Sequence, residues 1–227
     1  AVTSSSNGNI GGGGFMVAAM TDGETFTLDY REKAPAAAHR DLFLNDSGNV
    51  VPGMSLFSRA GSGVPGTVDG LIRALADHGS GNITLRQALA PAIRLAEKGF
   101  ELSHYEARRF NGYEGLFQSN DAAAAIFIRK DNNPWKKGDK LVQRDLAKTL
   151  KRISKYGRDG FYTGPVADLI VAEMKRGNGL ISLEDLKNYL SVYRDHVSGT
   201  YNGHEVISMG PPSSGGALLV NMMNMLE

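Results

Sequence analysis

One arginine, set where an apolar strand ends, carries the most concrete chemistry in this chain. It lies in Asp29-Tyr30-Arg31-Glu32-Lys33-Ala34-Pro35, downstream of the glycine run Asn9-Ile10-Gly11-Gly12-Gly13-Gly14-Phe15-Met16. Glycines allow another backbone or a ligand to pass closely. An arginine beside such a turn is a preformed fork for a carboxylate, able to hold it with two parallel hydrogen bonds. The plainer alternative is that Arg31 and Glu32 pair with other residues at the strand end, worth about 0–1 kcal/mol if exposed. No nucleophile with a partnered base accompanies Arg31. The chain therefore reads as the substrate-holding part of an enzyme whose chemistry sits elsewhere.

The remaining motifs fail on spacing. A phosphate-binding loop would end in Gly-Lys-Ser or Gly-Lys-Thr, where Phe15-Met16 stands; as a dinucleotide fingerprint starting at Gly11, the third glycine falls on Met16. Histidines 39, 78, 104, 196 and 204 are scattered without a ligand spacing, so no metal site is expected and no cofactor is implied. Ser213-Ser214-Gly215-Gly216 lacks the Gly-x-Ser-x-Gly of a nucleophile elbow and reads as a strand-to-helix turn that caps the last helix. Trp135 with Lys136-Lys137 reads as a solvated loop rather than a stacking platform for single-stranded nucleic acid.

The elements that must position Arg31 follow from pattern. Phe15–Met20 and Thr25–Tyr30 are β-prone runs around Asp22-Gly23, a hairpin signal, and the first is apolar enough to be covered on both faces. Residues 36–65 look irregular. Helices then dominate: Thr67 caps one that ends at Gly79, Thr84 with Gln87 and Ser103 with Glu106 are capping boxes, and Leu141–Tyr156, Val166–Met174 and a helix from Ser182 follow. Val192–Tyr201 and His204–Met209 flank Asn202-Gly203, another hairpin signal. The expected class is α+β, a helix-rich middle between two strand pairs that meet in one sheet.

With 227 residues, 41% of them hydrophobic, the chain can bury a real core. Lys and Arg number 25 and Asp and Glu 24, a balance that argues against nucleic acid or a polybasic membrane surface. The absence of cysteine excludes disulfides and thiolate sites without fixing a compartment. No apolar run approaches the roughly 20 residues of a membrane span. Both ends look cut, the C-terminus inside its own apolar stripe.

Four blocks, in order, resemble the γ-glutamyltranspeptidase family: the glycine run, Asp29–Pro35, Gly63-Val64-Pro65-Gly66-Thr67-Val68-Asp69-Gly70, and Pro211-Pro212-Ser213-Ser214-Gly215-Gly216. Weaker matches, such as Ala96-Glu97-Lys98-Gly99-Phe100 and Phe161-Tyr162-Thr163-Gly164, lie between them. The resemblance implies an N-terminal-nucleophile hydrolase with an αββα sandwich, matured when a precursor cuts itself into large and small subunits. It implies that the new N-terminal threonine of the small subunit attacks the γ-glutamyl amide of glutathione or a similar donor. Water, an amino acid or a peptide then resolves the acyl-enzyme.

By position, residues 1–227 resemble a single domain, part of the large subunit and truncated at both ends. No catalytic residue of the family maps onto this chain. The family's arginine for the α-carboxylate of the γ-glutamyl group aligns with Arg31, and the implied partner is the small subunit. The glycine run is assigned a packing role. Alone, the chain is expected to be inactive. Cephalosporin acylase or poly-γ-glutamate depolymerase of the same family, or a non-catalytic fragment, are the competing readings. The resemblance alone implies a periplasmic or extracellular location.

Overall fold

A computed structural model describes residues 2–5 and 7–227. They form two compact units, one of residues 2–5 and 83–157, the other of residues 7–82 and 158–227.

The second unit opens with β1 (Phe15–Ala19) and β2 (Thr25–Asp29), antiparallel in the register Phe15 to Asp29. The Asp22-Gly23 turn closes them as the sequence predicts, with Gly23 at φ 91°. After irregular turns and a short α1 (Met54–Phe57) comes α2 (Thr67–His78).

The other unit then begins with α3 (Leu85–Lys98), started by the Thr84–Gln87 capping box. It continues through β3 (Phe100–Glu101), α4 (His104–Gly112), α5 (Glu114–Gln118), α6 (Asp121–Phe127), β4 (Lys140–Leu141) and α7 (Arg144–Tyr156). Ala96 on α3 and Ala147, Leu150 and Ile153 on α7 are buried. A second cluster gathers Leu102, Ala107, Phe110 and Leu141 under Phe117, Phe127 and Trp135. Trp135 is thus packed rather than solvated: its ring meets Phe110, and its Nε1 donates to the Phe127 carbonyl at 2.6 Å. An apolar ring with one donor is stable in a core once that donor is satisfied.

The chain returns to the second unit in α8 (Asp159–Tyr162), α9 (Gly164–Arg176), α10 (Leu183–Asn188), β5 (Val192–Arg194), β6 (His196–Tyr201), β7 (His204–Met209) and α11 (Gly215–Leu226). Leu28, Val64, Val68, Tyr162, Leu186 and Tyr189 are among its buried side chains.

Three expectations are corrected here. The strand run from Val192 breaks at Asp195, so only β5 joins β2; the order is β1-β2-β5, and β6 with β7 forms a separate two-stranded sheet. Aspartate is a poor strand residue, and the Asp195 carbonyl sits where a Cβ on Gly210 would be. β1 is not covered on both faces: Val17 is 44% exposed and Ala19 on the same face is exposed as well. Thr67 does not cap α2: the cap is Gly66, and Thr67 is the first helical residue, its buried hydroxyl without a protein partner.

Candidate functional site

Arg31 stands two residues beyond β2, and its backbone is fixed from several directions. Tyr30 exchanges main-chain hydrogen bonds with Gly14, at 2.9 and 3.2 Å. Lys33 does the same with Val64, at 3.1 and 2.7 Å. The Asp29 carboxylate accepts from Arg31 N at 2.9 Å with one oxygen and from Arg194 Nε at 2.7 Å with the other. Tyr189 donates its hydroxyl to the Arg31 carbonyl at 2.8 Å.

The glycine run explains itself against this segment. A Cβ on Gly13 would overlap Tyr30 O and come within 2.8 Å of the Arg31 carbonyl carbon; one on Gly14 would lie 2.9 Å from the Tyr30 ring. The Gly12 carbonyl accepts from Gly66 N and Thr67 N, at 2.8 and 3.0 Å, satisfying two of the donors that open α2. Gly66 has no room for a side chain between Tyr189 and Tyr30 O. The packing role read from sequence is what the geometry shows.

Behind Arg31 lies a buried polar network. Asp69, on the first turn of α2 and 5% exposed, accepts from Arg158 Nε at 2.8 Å and from Ser191 N at 2.7 Å. Arg158 also donates to the carbonyls of Lys187 and Tyr189. Tyr162 donates to Pro65 O at 2.8 Å, and its oxygen accepts from Asp69 N at 3.3 Å. Burial pushes the Tyr189 phenol well above its ordinary range, with the charges of Asp69, Asp29 and Glu32 adding to the effect. Tyr189 therefore stays a neutral donor to Arg31 across the physiological range.

The Arg31 side chain is held far more loosely than its backbone. It is 57% exposed, its Nε donates to Glu32 Oε2 at 3.0 Å, and its guanidinium carbon lies 5.7 Å from the centre of the Phe15 ring. Glu32 is itself seated, its Cβ against Gly63. Among the described residues neither Nη has a protein partner, so the outer edge of the fork is open. This matches the sequence expectation of an arginine at a strand end, and the Glu32 contact of the plainer alternative is present alongside it.

Asp69, Arg158 and Tyr189 were not picked out as site residues from the sequence. They come from positions far apart along the chain, and no local spacing joins them; only the Gly63–Gly70 block pointed at one of the three. His78 stacks on Phe26 with ring centres 3.8 Å apart, a packing role. Among the described residues no group of three or more histidines and carboxylates could hold a metal, and no helix is long and apolar enough to cross a membrane.

The family model for γ-glutamyltranspeptidase matches residues 1–227. The chain belongs to the γ-glutamyltranspeptidase family. It is 44% identical over 227 residues to the glutathione hydrolase proenzyme of Escherichia coli, covering all of this chain and 39% of that protein. The crystal structure of Helicobacter pylori γ-glutamyltranspeptidase matches 99% of the chain with a TM-score of 0.95 at 42% identity, over 64% of that chain. The α+β reading is thereby placed within the N-terminal-nucleophile hydrolases. A cephalosporin acylase from Bacillus halodurans, at 22% identity and a TM-score of 0.77, shares the fold alone. The chain thus spans well under half the length of its E. coli relative, a proenzyme by name. Three of the four sequence blocks fall together around one point: the glycine run, Asp29–Pro35 and Gly63–Gly70 all meet at the backbone of residues 30–33.

Proposed function

We propose that this chain is the substrate-holding part of a γ-glutamyltransferase or glutathione hydrolase, a partial large subunit of a two-chain enzyme. The single observation that carries the reading is an arginine fork with a fully fixed backbone and an open outer edge. Arg31 grips the α-carboxylate of a γ-glutamyl donor through its Nη groups, while Glu32 holds Nε and sets the plane of the guanidinium. With that end fixed, the γ-carbonyl is aimed at a nucleophile.

The nucleophile is the N-terminal threonine of a small subunit, supplied by self-cleavage of the precursor. Its hydroxyl adds to the γ-carbonyl, the amine leaves with a proton, and an ester joins the glutamyl group to the threonine. Water or the amine of an acceptor then cleaves that ester and restores the hydroxyl. This chain contributes binding and orientation, not proton transfer, and by itself turns nothing over. The enzyme works in the periplasm or outside the cell.

The test is kinetic. In the matured two-chain protein with a γ-glutamyl anilide donor, Arg31→Lys should raise KM about tenfold to a hundredfold, the cost of about 1.5–3 kcal/mol for losing charge-assisted hydrogen bonds. Unchanged KM and kcat would remove Arg31 from the site. Turnover by the 227-residue chain alone would contradict the division of labour.

A further inference from the structure

The near-zero net charge of the chain conceals a strong separation of charge. Between Ile83 and Gly157 there are fifteen Lys and Arg against eight Asp and Glu, a net +7; the other residues carry ten against sixteen, a net −6. Composition alone had argued against polyanionic partners, and the unit containing α3 and α7 reverses that argument for its own surface.

The excess is ordered. On α3, Arg86, Arg94 and Lys98 recur at helical spacing; on α7, Arg144, Lys148, Lys151 and Lys155 do the same, and all seven are exposed. Between the two helices runs an open groove of about 680 Å³, lined by Arg86, Ile93, Arg94, Lys98, Lys151 and Lys155 among others. A carboxylate is also present: Glu97 pairs with Lys151 at 2.5 Å. Arg86, Arg94 and Lys98 have no hydrogen-bonded or ion-pair partner among the described residues, and Lys155 lies 4.9 Å from the Tyr156 ring centre. The Tyr156 phenol is held below its usual range by its hydrogen bond to Lys155 and the Lys155 charge and, more weakly, by Arg152.

We infer that the α3–α7 groove is a binding site for a linear polyphosphate, a flexible chain of regularly spaced phosphate groups. The twelve-residue reach from Arg86 to Lys98 spans about 18 Å, suited to a chain rather than a single anion. Four cations on two walls outside any close ion pair can each displace a counterion, although Glu97 lies near Lys98, whereas the few apolar side chains at the groove, Ala90 and Ile93, give a bilayer little to hold.

Isothermal titration with inorganic polyphosphate tests the site, on the full chain and on the matured two-chain protein. Saturable binding is expected at low salt in both, with log K falling against log salt at a slope of about −2 to −3. Arg94→Glu/Lys98→Glu/Lys155→Glu should weaken it at least about tenfold, and the milder Lys98→Gln/Lys155→Gln about threefold, at two charges lost from four. Lys136→Glu/Lys137→Glu, in the loop of the same unit, should leave it within about twofold, since those charges lie outside the groove.

Equal loss in the loop variant would mean diffuse charge rather than a groove and would overturn the site. So would orthophosphate binding as tightly as polyphosphate, or binding by the chain that vanishes in the two-chain protein. Capture by anionic vesicles, lost in the triple variant, with no polyphosphate binding would assign the face to a membrane surface instead. Should the triple variant fail to fold by circular dichroism, the double glutamine variant decides.

Discussion

Tyr189 donates its hydroxyl to the Arg31 carbonyl at 2.8 Å, across 158 residues of sequence. That bond ties the last turn before β5 to the strand end where the open fork stands. The loop bearing Arg31 is therefore steadied by a residue with no access to a ligand, and the two roles can be separated by mutation.

Tyr189→Phe removes the donor and leaves a carbonyl without it in a packed setting. The expected loss is about 1–2 kcal/mol of stability, read as a lower urea midpoint at unchanged slope. In the matured enzyme donor KM should rise while kcat changes less, since the loop loosens without touching the reacting atoms. A fall in kcat alone would contradict a positioning role.

Asp69 and Arg158 form a largely buried ion pair with hydrogen bonds to spare. Asp69→Ala strands the guanidinium and the Ser191 amide, and should cost about 3–5 kcal/mol. Arg158→Met should cost a comparable amount, and the double variant much less than the sum. Equilibrium unfolding of the four proteins measures the coupling; additive losses would mean the pair is not a unit.

Gly66→Ala places a methyl group against Tyr30 O and the Tyr189 hydroxyl. It should yield insoluble or unfolded protein, because two fixed backbones cannot part by enough. Gly115→Ala, inside α5 with nothing within 4 Å of the added carbon, should instead stabilise by about 0.5–1 kcal/mol. Expression and thermal melting distinguish the two.

Alkaline pH should unfold the chain through its tyrosines. Burial above all raises Tyr162 and Tyr189, and it pushes Tyr193 up to about 12, with its bond to Asp77 assisting. Below about pH 10 these phenols are protonated in folded and unfolded chains alike, and the native state keeps its full stability. Above that, the unfolded chain releases protons first, and Tyr162 alone removes about 1.4 kcal/mol per pH unit until its folded pKa is passed. Phenolate absorbance should rise in a step coincident with loss of circular dichroism. Smooth titration in a folded protein would show these rings to be accessible.

Local signals were legible in the sequence where the physics is local. The boxes at Thr84 and Ser103, the helix start at Ser182 and the turns at Gly23 and Asn202-Gly203 are all present, since each satisfies its own backbone within four residues. What failed was mainly non-local. Nothing near Thr67 announced that the Gly12 carbonyl would serve the start of α2 and leave Gly66 as the cap. The β-prone run around Asp195 hid the one local signal of the break there, an aspartate within a strand pattern. The candidate site shows the same division: the placing of Arg31 at a strand end beside the glycines was visible in the sequence, while Asp69, Arg158 and Tyr189 acquire meaning only once folding joins them.

The contrast between the fixed backbone at Arg31 and its half-exposed side chain has a thermodynamic consequence. Folding has already spent the main-chain entropy of residues 29–33, so a ligand at the Nη edge need only still the rotations of one side chain, at most about 2 kcal/mol. Such a fork should close on a carboxylate without a loop rearrangement and let go as readily, as the proposed grip on a γ-glutamyl donor requires.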